Sequence, residues 1–203
     1  MTTRVREPTE DDQSKLMKVV KYLNGTIELG ITLGGDDSGK IDFRGYADAA
    51  YGVHADAKSH SGIYITLGLG PILWKSIKQK CVTRSSCEAE LVALSELASL
   101  AIWVRDILRE ICVLSESTPV KIMEDNKAAI DMVTNGASTS DRSKHVHIRN
   151  CFVAQFVASR EFEIFYCSTV YMIADILTKP LPRATYCFLR DYLLGRKRQT
   201  FIT

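Results

Sequence analysis

Apolar and polar residues change their spacing several times along the chain, and each change marks an element. Leu16, Val19, Val20 and Leu23 recur at helical spacing behind Thr9 and the acids Glu10, Asp11 and Asp12, which predicts a helix from Thr9 to Leu23 that Asn24-Gly25 stops. Ile27 to Leu33 reads as a short strand, and Gly34 to Gly39 as a loop and domain boundary. Three strand patterns follow closely, Ile41 to Ala50, Ser61 to Leu69 and one opening at Ile72 to Ser76, so they are expected to form an antiparallel meander. From Ser86 the period is helical again: Leu91, Leu94, Ala98, Ile102, Leu108 and Ile111 predict a long helix to Cys112, capped by Ser85 or Ser86. A strand over Val120 to Glu124 precedes a short helix that Asp125-Asn126 caps and that runs through Val133. A polar loop, Ala137 to Ser143, leads to a helix over Lys144 to Ala158, then a strand over Phe162 to Cys167 and helices near Ala174–Thr178 and Arg183–Leu193. The order β-β-β-α-β-α-α-β-α predicts an α/β fold with one mixed five-stranded sheet, three antiparallel strands followed by parallel additions, flanked by helices.

Composition narrows this picture only slightly. The 203 residues are 46% hydrophobic and 25% charged, an ordinary globular balance, with room for one sizeable α/β domain. No apolar run reaches the ~18 residues of a membrane span, and Met1 to Glu10 lacks the apolar stretch of a secretory signal. The six cysteines form no CxxC pair and read as reduced core thiols. His147 and Cys151, one helical turn apart, have no second pair to complete a zinc site. A net charge of +2 says little about partners, although basic residues cluster at Lys75, Lys78, Lys80 and Arg84, at Arg142, Lys144 and Arg149, and in Arg196-Lys197-Arg198, a basic tail.

Four acids carry the candidate chemistry. Asp48 stands inside the first meander strand among small and apolar residues, where a carboxylate is costly unless paired or bound to a cation. Glu90 lies in the first turns of the long helix, Asp125 at the end of the fourth strand and Asp175 at the start of a late helix. Taken singly, Asp125 serves equally well as a helix cap and Glu90 as an exposed helix residue. Brought together, the four would repel one another unless cations joined them, and two Mg²⁺ ions held by carboxylate oxygens suit in-line phosphodiester displacement. No GxxxxGK[ST], HExxH, GxSxG or GxGxxG pattern competes.

At these residues the chain resembles a known family. Tyr46-Ala47-Asp48-Ala49, Lys58-Ser59-His60-Ser61-Gly62, Leu73-Trp74-Lys75-Ser76-Ile77-Lys78-Gln79, Ser85-Ser86-Cys87-Glu88-Ala89-Glu90, Glu124-Asp125-Asn126-Lys127-Ala128-Ala129, Lys144-His145 with Ile148-Arg149, and Ala174-Asp175-Ile176-Leu177-Thr178-Lys179 stand in the order of copia-type (Ty1/copia) retrotransposon RNase H domains. The likeness spans Asp42 to Leu194, and Val20-Lys21-Tyr22-Leu23-Asn24-Gly25-Thr26 resembles the end of the preceding reverse transcriptase. The resemblance implies three segments: residues 1–39 closing the reverse transcriptase, 40–195 an RNase H domain, and 196–203 a basic tail. It also implies an RNase H fold and an endoribonuclease that cuts the RNA strand of RNA–DNA hybrids with two Mg²⁺ or Mn²⁺ ions. Its D-E-D-D set falls on Asp48, Glu90, Asp125 and Asp175, with Glu90 preferred over Glu88 because Leu91-Val92-Ala93 follows it as in the family. His147 and Met172 depart from the family's usual residues, and no histidine occurs in Ser168 to Ile173, where cellular relatives carry a mobile one. His145 then stands open as a substitute shuttle, a phosphate contact or a packing residue.

The expected partners are an RNA–DNA hybrid and the reverse transcriptase of the same polyprotein, with no membrane, a monomeric isolated domain, and a location in cytoplasmic retroelement particles or the nucleus. Ser59, Lys75, Lys78, Gln79, Arg84, Ser86, Asn126, Lys144, His145 and Arg149 are candidate hybrid contacts because they flank the acids. Binding of this kind reads shape, 2′-hydroxyls and phosphates, and is expected to be salt-sensitive and largely sequence-independent. The alternatives are a catalytically silent hybrid-binding or connection-like domain, an integrase or resolvase of the same superfold acting on duplex DNA, and a spacer without metal binding.

Overall fold

The computed structural model describes residues 6–35, 40–135 and 144–198. It falls into two compact units, one ending at Ile31 and the other starting at Thr32. The loop expected as the boundary, at Asp36 to Gly39, lies outside the described residues, as do the loop before Lys144 and Arg142.

The first unit is built on helix α1, Glu10–Asn24. Thr9 caps it reciprocally with Asp12: the Asp12 amide donates to the Thr9 hydroxyl at 3.2 Å, and the Thr9 amide to the Asp12 carboxylate at 3.0 Å. Its apolar stripe of Leu16, Val19, Val20 and Leu23 is exposed. Ile27 to Leu33 forms no strand. The nearest approach to sheet pairing is a single bridge between Gly34 and Leu69, and Thr32 instead donates to the carbonyl of Leu194 at 2.9 Å. Alternating residues make a strand only where a neighbour offers a whole edge.

In the second unit, β1 (Arg44–Ala50), β2 (His60–Thr66) and β3 (Leu73–Lys78) form the antiparallel meander. Helix α2 (Ser86–Glu110) follows, then β4 (Val120–Glu124), α3 (Lys127–Asn135), α4 (Lys144–Ala158), β5 (Phe162–Tyr166), two short 3₁₀ turns at Thr169–Tyr171 and Ile173–Leu177, and α5 (Arg183–Leu193). The sheet order is β3-β2-β1-β4-β5, with β4 parallel to both β1 and β5. A mixed five-stranded sheet flanked by helices is the fold class expected from the pattern.

Each sheet face has its own core. Ala47, Ala49, Ile63, Ile65 and Ile122 meet Leu91, Leu94, Leu97 and Ala98 of α2 on one face. Gly45 permits the close seat of that helix, because a Cβ there would stand 2.8 Å from Leu97 Cδ1. On the other face Tyr46, Tyr64 and Met123 pack with Cys167, Met172, Ile173 and Ala174. Of the cysteines expected in the core only Cys167 is buried; Cys112 and Cys151 are exposed, since they fall at a helix end and on an outer helix face.

Ordinary β-sheet geometry would leave no room for the Ile173–Leu177 turn against β2, and Gly62 supplies it. A Cβ at Gly62 would lie 2.7 Å from the Ala174 carbonyl oxygen and 3.0 Å from Leu177 Cβ. The neighbouring Ser76 of β3 donates its hydroxyl to the Leu177 carbonyl at 2.6 Å, fixing the same turn from the sheet edge. Replacing Gly62 with alanine forces this segment off the sheet and is expected to cost about 1–3 kcal/mol of overpacking. Urea unfolding followed by circular dichroism measures it, and an unchanged midpoint would show that the turn is not seated as described.

Candidate active site

The pairing of β1 with β4 ends at Tyr46 opposite Met123, so beyond that point the two parallel strands diverge. The residues that come next are Asp48 on one side and Glu124 and Asp125 on the other. A crevice at the carboxyl ends of neighbouring strands is where open α/β sheets commonly bind ligands. Side-chain alternation sends Asp48 to the face that carries the Ile173–Leu177 turn, and hence to Asp175. It sends Glu124, in step with Val120 and Ile122, toward α2, whose first turns carry Glu90.

Two trios of carboxylates result, joined at Asp125. One oxygen each from Asp48, Asp125 and Asp175 lies within 4.8 Å of the others, and the same holds for Glu90, Glu124 and Asp125. The structure therefore gathers all four acids of the expected set and adds Glu124. Asp48, Glu90, Glu124 and Asp175 are buried and Asp125 is partly so. Glu88 turns elsewhere: its carboxylate accepts the Arg84 amide at 2.8 Å, and its own amide donates to the Ser85 cap at 3.2 Å.

One cation already sits in the cluster. Lys179 Nζ lies 3.0 Å from Asp48 Oδ1 and 2.9 Å from Asp175 Oδ1. The Thr178 hydroxyl donates to Asp48 Oδ2, and the Thr169 hydroxyl to Asp125 Oδ2 at 2.9 Å. The Ser168 to Ile173 stretch, which lacks a histidine, thus contributes a hydroxyl. On the other side, the Asn126 amide donates to Glu124 Oε1 at 3.0 Å, while Glu124 Oε2 and Glu90 Oε2 are buried without a hydrogen-bond partner.

The titration of these groups follows from their burial first and from that crowding second. Burial, then the charges of Glu124, Asp48 and Asp125, push Glu90 up to about 11 from 4.5, with Lys179 opposing. Burial pushes Glu124 up to about 8, against the hydrogen bond from the Asn126 amide. Asp175 rises to about 6, mainly through burial, with its Lys179 contact pulling the other way. For Lys179 burial alone would lower the ammonium, but Asp175 and Asp48 hold it above its ordinary value.

All-oxygen, multiply anionic donor sets suit hard divalent cations. Two oxygens on one Mg²⁺ can stand at most about 4.2 Å apart, given bonds of about 2.1 Å, so trios within 4.8 Å need only small side-chain adjustments. The orphaned oxygens of Glu90 and Glu124 are what a bound cation would satisfy.

The candidate hybrid contacts divide into buried and exposed sets. Ser59 and Gln79 are buried and tied within the protein: Ser59 Oγ accepts the Gly52 amide at 3.1 Å and meets Thr83 Oγ1 at 3.0 Å, and Gln79 Nε2 donates to Ser61 Oγ at 3.0 Å and to the Ala89 carbonyl at 2.9 Å. They bind the β2 and β3 ends to the start of α2. Asn126 caps α3, its Oδ1 accepting the Ala129 amide at 3.1 Å. Lys75, Lys78, Arg84, Ser86, Lys144 and His145 are exposed and Arg149 half-buried. Lys78 pairs with Asp56 at 2.8 Å.

No protein-family model matches this sequence. Over 180 residues it is 35% identical to the retrovirus-related Pol polyprotein from transposon RE2 of Arabidopsis thaliana, and 31% identical to that from transposon TNT 1-94 of Nicotiana tabacum. Both alignments cover 88% of this chain but only 12% and 13% of the polyproteins, so the chain spans a small part of their length. Among solved structures, LC11 RNase H1 from a compost metagenome superposes with a TM-score of 0.51 at 15% identity, over 68% of this chain and 92% of that one, which is a likeness of fold. The chain is a homologue of one segment of the Pol polyproteins of copia-type (Ty1/copia) retrotransposons, and it has the RNase H fold.

Proposed function

We propose that this domain is a ribonuclease H that hydrolyses the RNA strand of RNA–DNA hybrids during reverse transcription. The observation that carries the reading is the meeting of Asp48, Glu90, Asp125 and Asp175, distant in sequence, in two trios joined at Asp125, the second completed by Glu124, within each of which the oxygens lie within 4.8 Å of one another. Two Mg²⁺ or Mn²⁺ ions held by these four acids would supply the charge that activates a water and stabilises the leaving oxygen of an in-line phosphodiester displacement. The protein's own task is to hold the carboxylates in place. Thr178 and Thr169 orient Asp48 and Asp125 by hydrogen bonds, and the Gly62-seated turn carries Asp175 to Asp48.

Arg84, Ser86, Lys144, His145 and Arg149, with Lys75 and Lys78 on β3, are the groups we assign to the hybrid. They act on phosphates and 2′-hydroxyls, so affinity falls with salt and varies little with sequence. Ser59, Gln79 and Asn126 shape the loops that present these groups. Residues 1–39 we read as the end of the reverse transcriptase; the exposed apolar stripe of α1 fits an element that packs against chain lying upstream. Residues 40–195 form the nuclease and 196–203 a basic tail, in a monomer that works inside a retroelement particle.

One observation favours a second reading. Lys179 already compensates Asp48 and Asp175, as it would in a hybrid-binding domain without catalysis. A labelled hybrid incubated with Mg²⁺ or Mn²⁺ separates the two, and a DNA duplex in parallel tests the substrate. Asp48→Asn or Asp125→Asn is expected to reduce cleavage about a thousandfold or more while cooperative melting persists. Undiminished cleavage in either variant would refute the assignment.

Stability should depend on pH in a way that reports the burial of these acids beside one another. Asp175 and Glu124 have folded-state pKa values of about 6 and about 8, above their ordinary 3.8 and 4.5. Holding those protons favours the fold fully at low pH, and the benefit disappears as pH rises through the folded values. In chelator the melting temperature is therefore expected to fall between about pH 4 and pH 8, with millimolar Mg²⁺ restoring it at the alkaline end. A flat profile in chelator would mean that the acids are not buried together as described.

A further inference from the structure

The two trios differ in what they already hold. Lys179 spans Asp48 and Asp175, so the Asp48–Asp125–Asp175 side carries an internal cation. Among the described residues no salt bridge reaches Glu90 or Glu124. Each of these two glutamates has one carboxylate oxygen, Oε2, that is buried and accepts nothing. Glu124 has no solvent exposure at all, and the hydrogen bond from the Asn126 amide engages Oε1. That bond fixes the carboxylate and leaves the second oxygen for another partner. Such an oxygen is expensive to bury alone, and a second buried carboxylate beside it raises the cost. A divalent cation removes both costs.

We propose that Glu90, Glu124 and Asp125 form a divalent-cation site that fills without nucleic acid, with Glu124 as a direct ligand, a fifth carboxylate beside the family's D-E-D-D set. The inference rests on reading the cluster as a metal centre. Three carboxylates then surround this ion, whereas an ion entering the other trio must first displace the Lys179 ammonium from Asp48 and Asp175. Loading is consequently ordered, with one tight and one weak site per chain. Lys179 is a positioning residue, standing in for the second cation until substrate arrives.

Titration of the full chain with Mn²⁺, without nucleic acid, tests this, with free Mn²⁺ counted by electron paramagnetic resonance. The wild type is expected to bind one Mn²⁺ tightly and a second weakly. Glu124→Gln and Glu90→Gln should each weaken the tight site at least tenfold, whereas Asp175→Asn should leave it intact and Lys179→Met should strengthen the weak one. Tight binding that survives Glu124→Gln but is lost in Glu90→Gln or Asp175→Asn overturns the proposal, as does a wild type that binds no Mn²⁺ without hybrid. Should Glu124→Gln fail to fold by circular dichroism, a Mn²⁺-soaked wild-type crystal decides, since anomalous density must lie at coordination distance from Glu124 Oε2. Hybrid cleavage by the same preparations keeps the two readings apart. A chain that binds one Mn²⁺ yet cuts nothing sinks the nuclease and keeps the site; one that cuts while Glu124→Gln binds normally does the reverse.

Discussion

The constraint on which this structure turns is repulsion among buried carboxylates. Five acids converge where β1 and β4 part, and no arrangement of neutral side chains there can make that convergence favourable. The fold imposes it through parts that gain stability elsewhere: two sheet faces with separate apolar cores, a long capped helix, and a turn pressed onto a glycine. The energy that assembles the site comes from burial of apolar surface, and the site withdraws some of it. Lys179 reduces that withdrawal on one side only, which gives the cluster its asymmetry.

The Ile173–Leu177 turn and the residues after it illustrate how little chain is needed to build much of the site. Asp175 brings an acid, Thr178 a hydroxyl on Asp48, and Lys179 an ammonium between the two aspartates. A 3₁₀ turn instead of a regular α-helix presents these groups in so short a span, and its docking depends on Gly62 and Ser76 of two different strands. The second core beneath it, Tyr46, Tyr64 and Met172 among others, keeps the turn from lifting.

Much of this was legible in the amino-acid pattern. The helices beginning at Lys144 and Arg183 and the strand Val120–Glu124 have the bounds read from the sequence, because polar or proline-bearing chain brackets each of them. Ile27 to Leu33 misled, since alternation signals a strand only if an edge is available, and here the chain meets a helix end and one bridging residue. Glu124 was missed although the signal existed: an acid in step with Val120 and Ile122 on a buried face is the same anomaly that singled out Asp48. The helical offset of Lys179 from Asp175 was equally available, but only the fold shows that Asp48 shares that lysine. Ser59 and Gln79 lie near the acids in sequence yet face inward, which local composition could not reveal.

Strand β3 closes the sheet on one side, and from Trp74 to Lys78 it is exposed on both faces. Such a rim offers a row of unpaired amides and carbonyls to any extended peptide, an invitation to strand addition and self-association. Lys75 and Lys78 stand on this rim, one on each face, where long charged side chains, Lys78 paired with Asp56, disfavour the addition of another strand. The same two positions therefore carry the edge's protection against strand addition, a consequence of the sheet order alone.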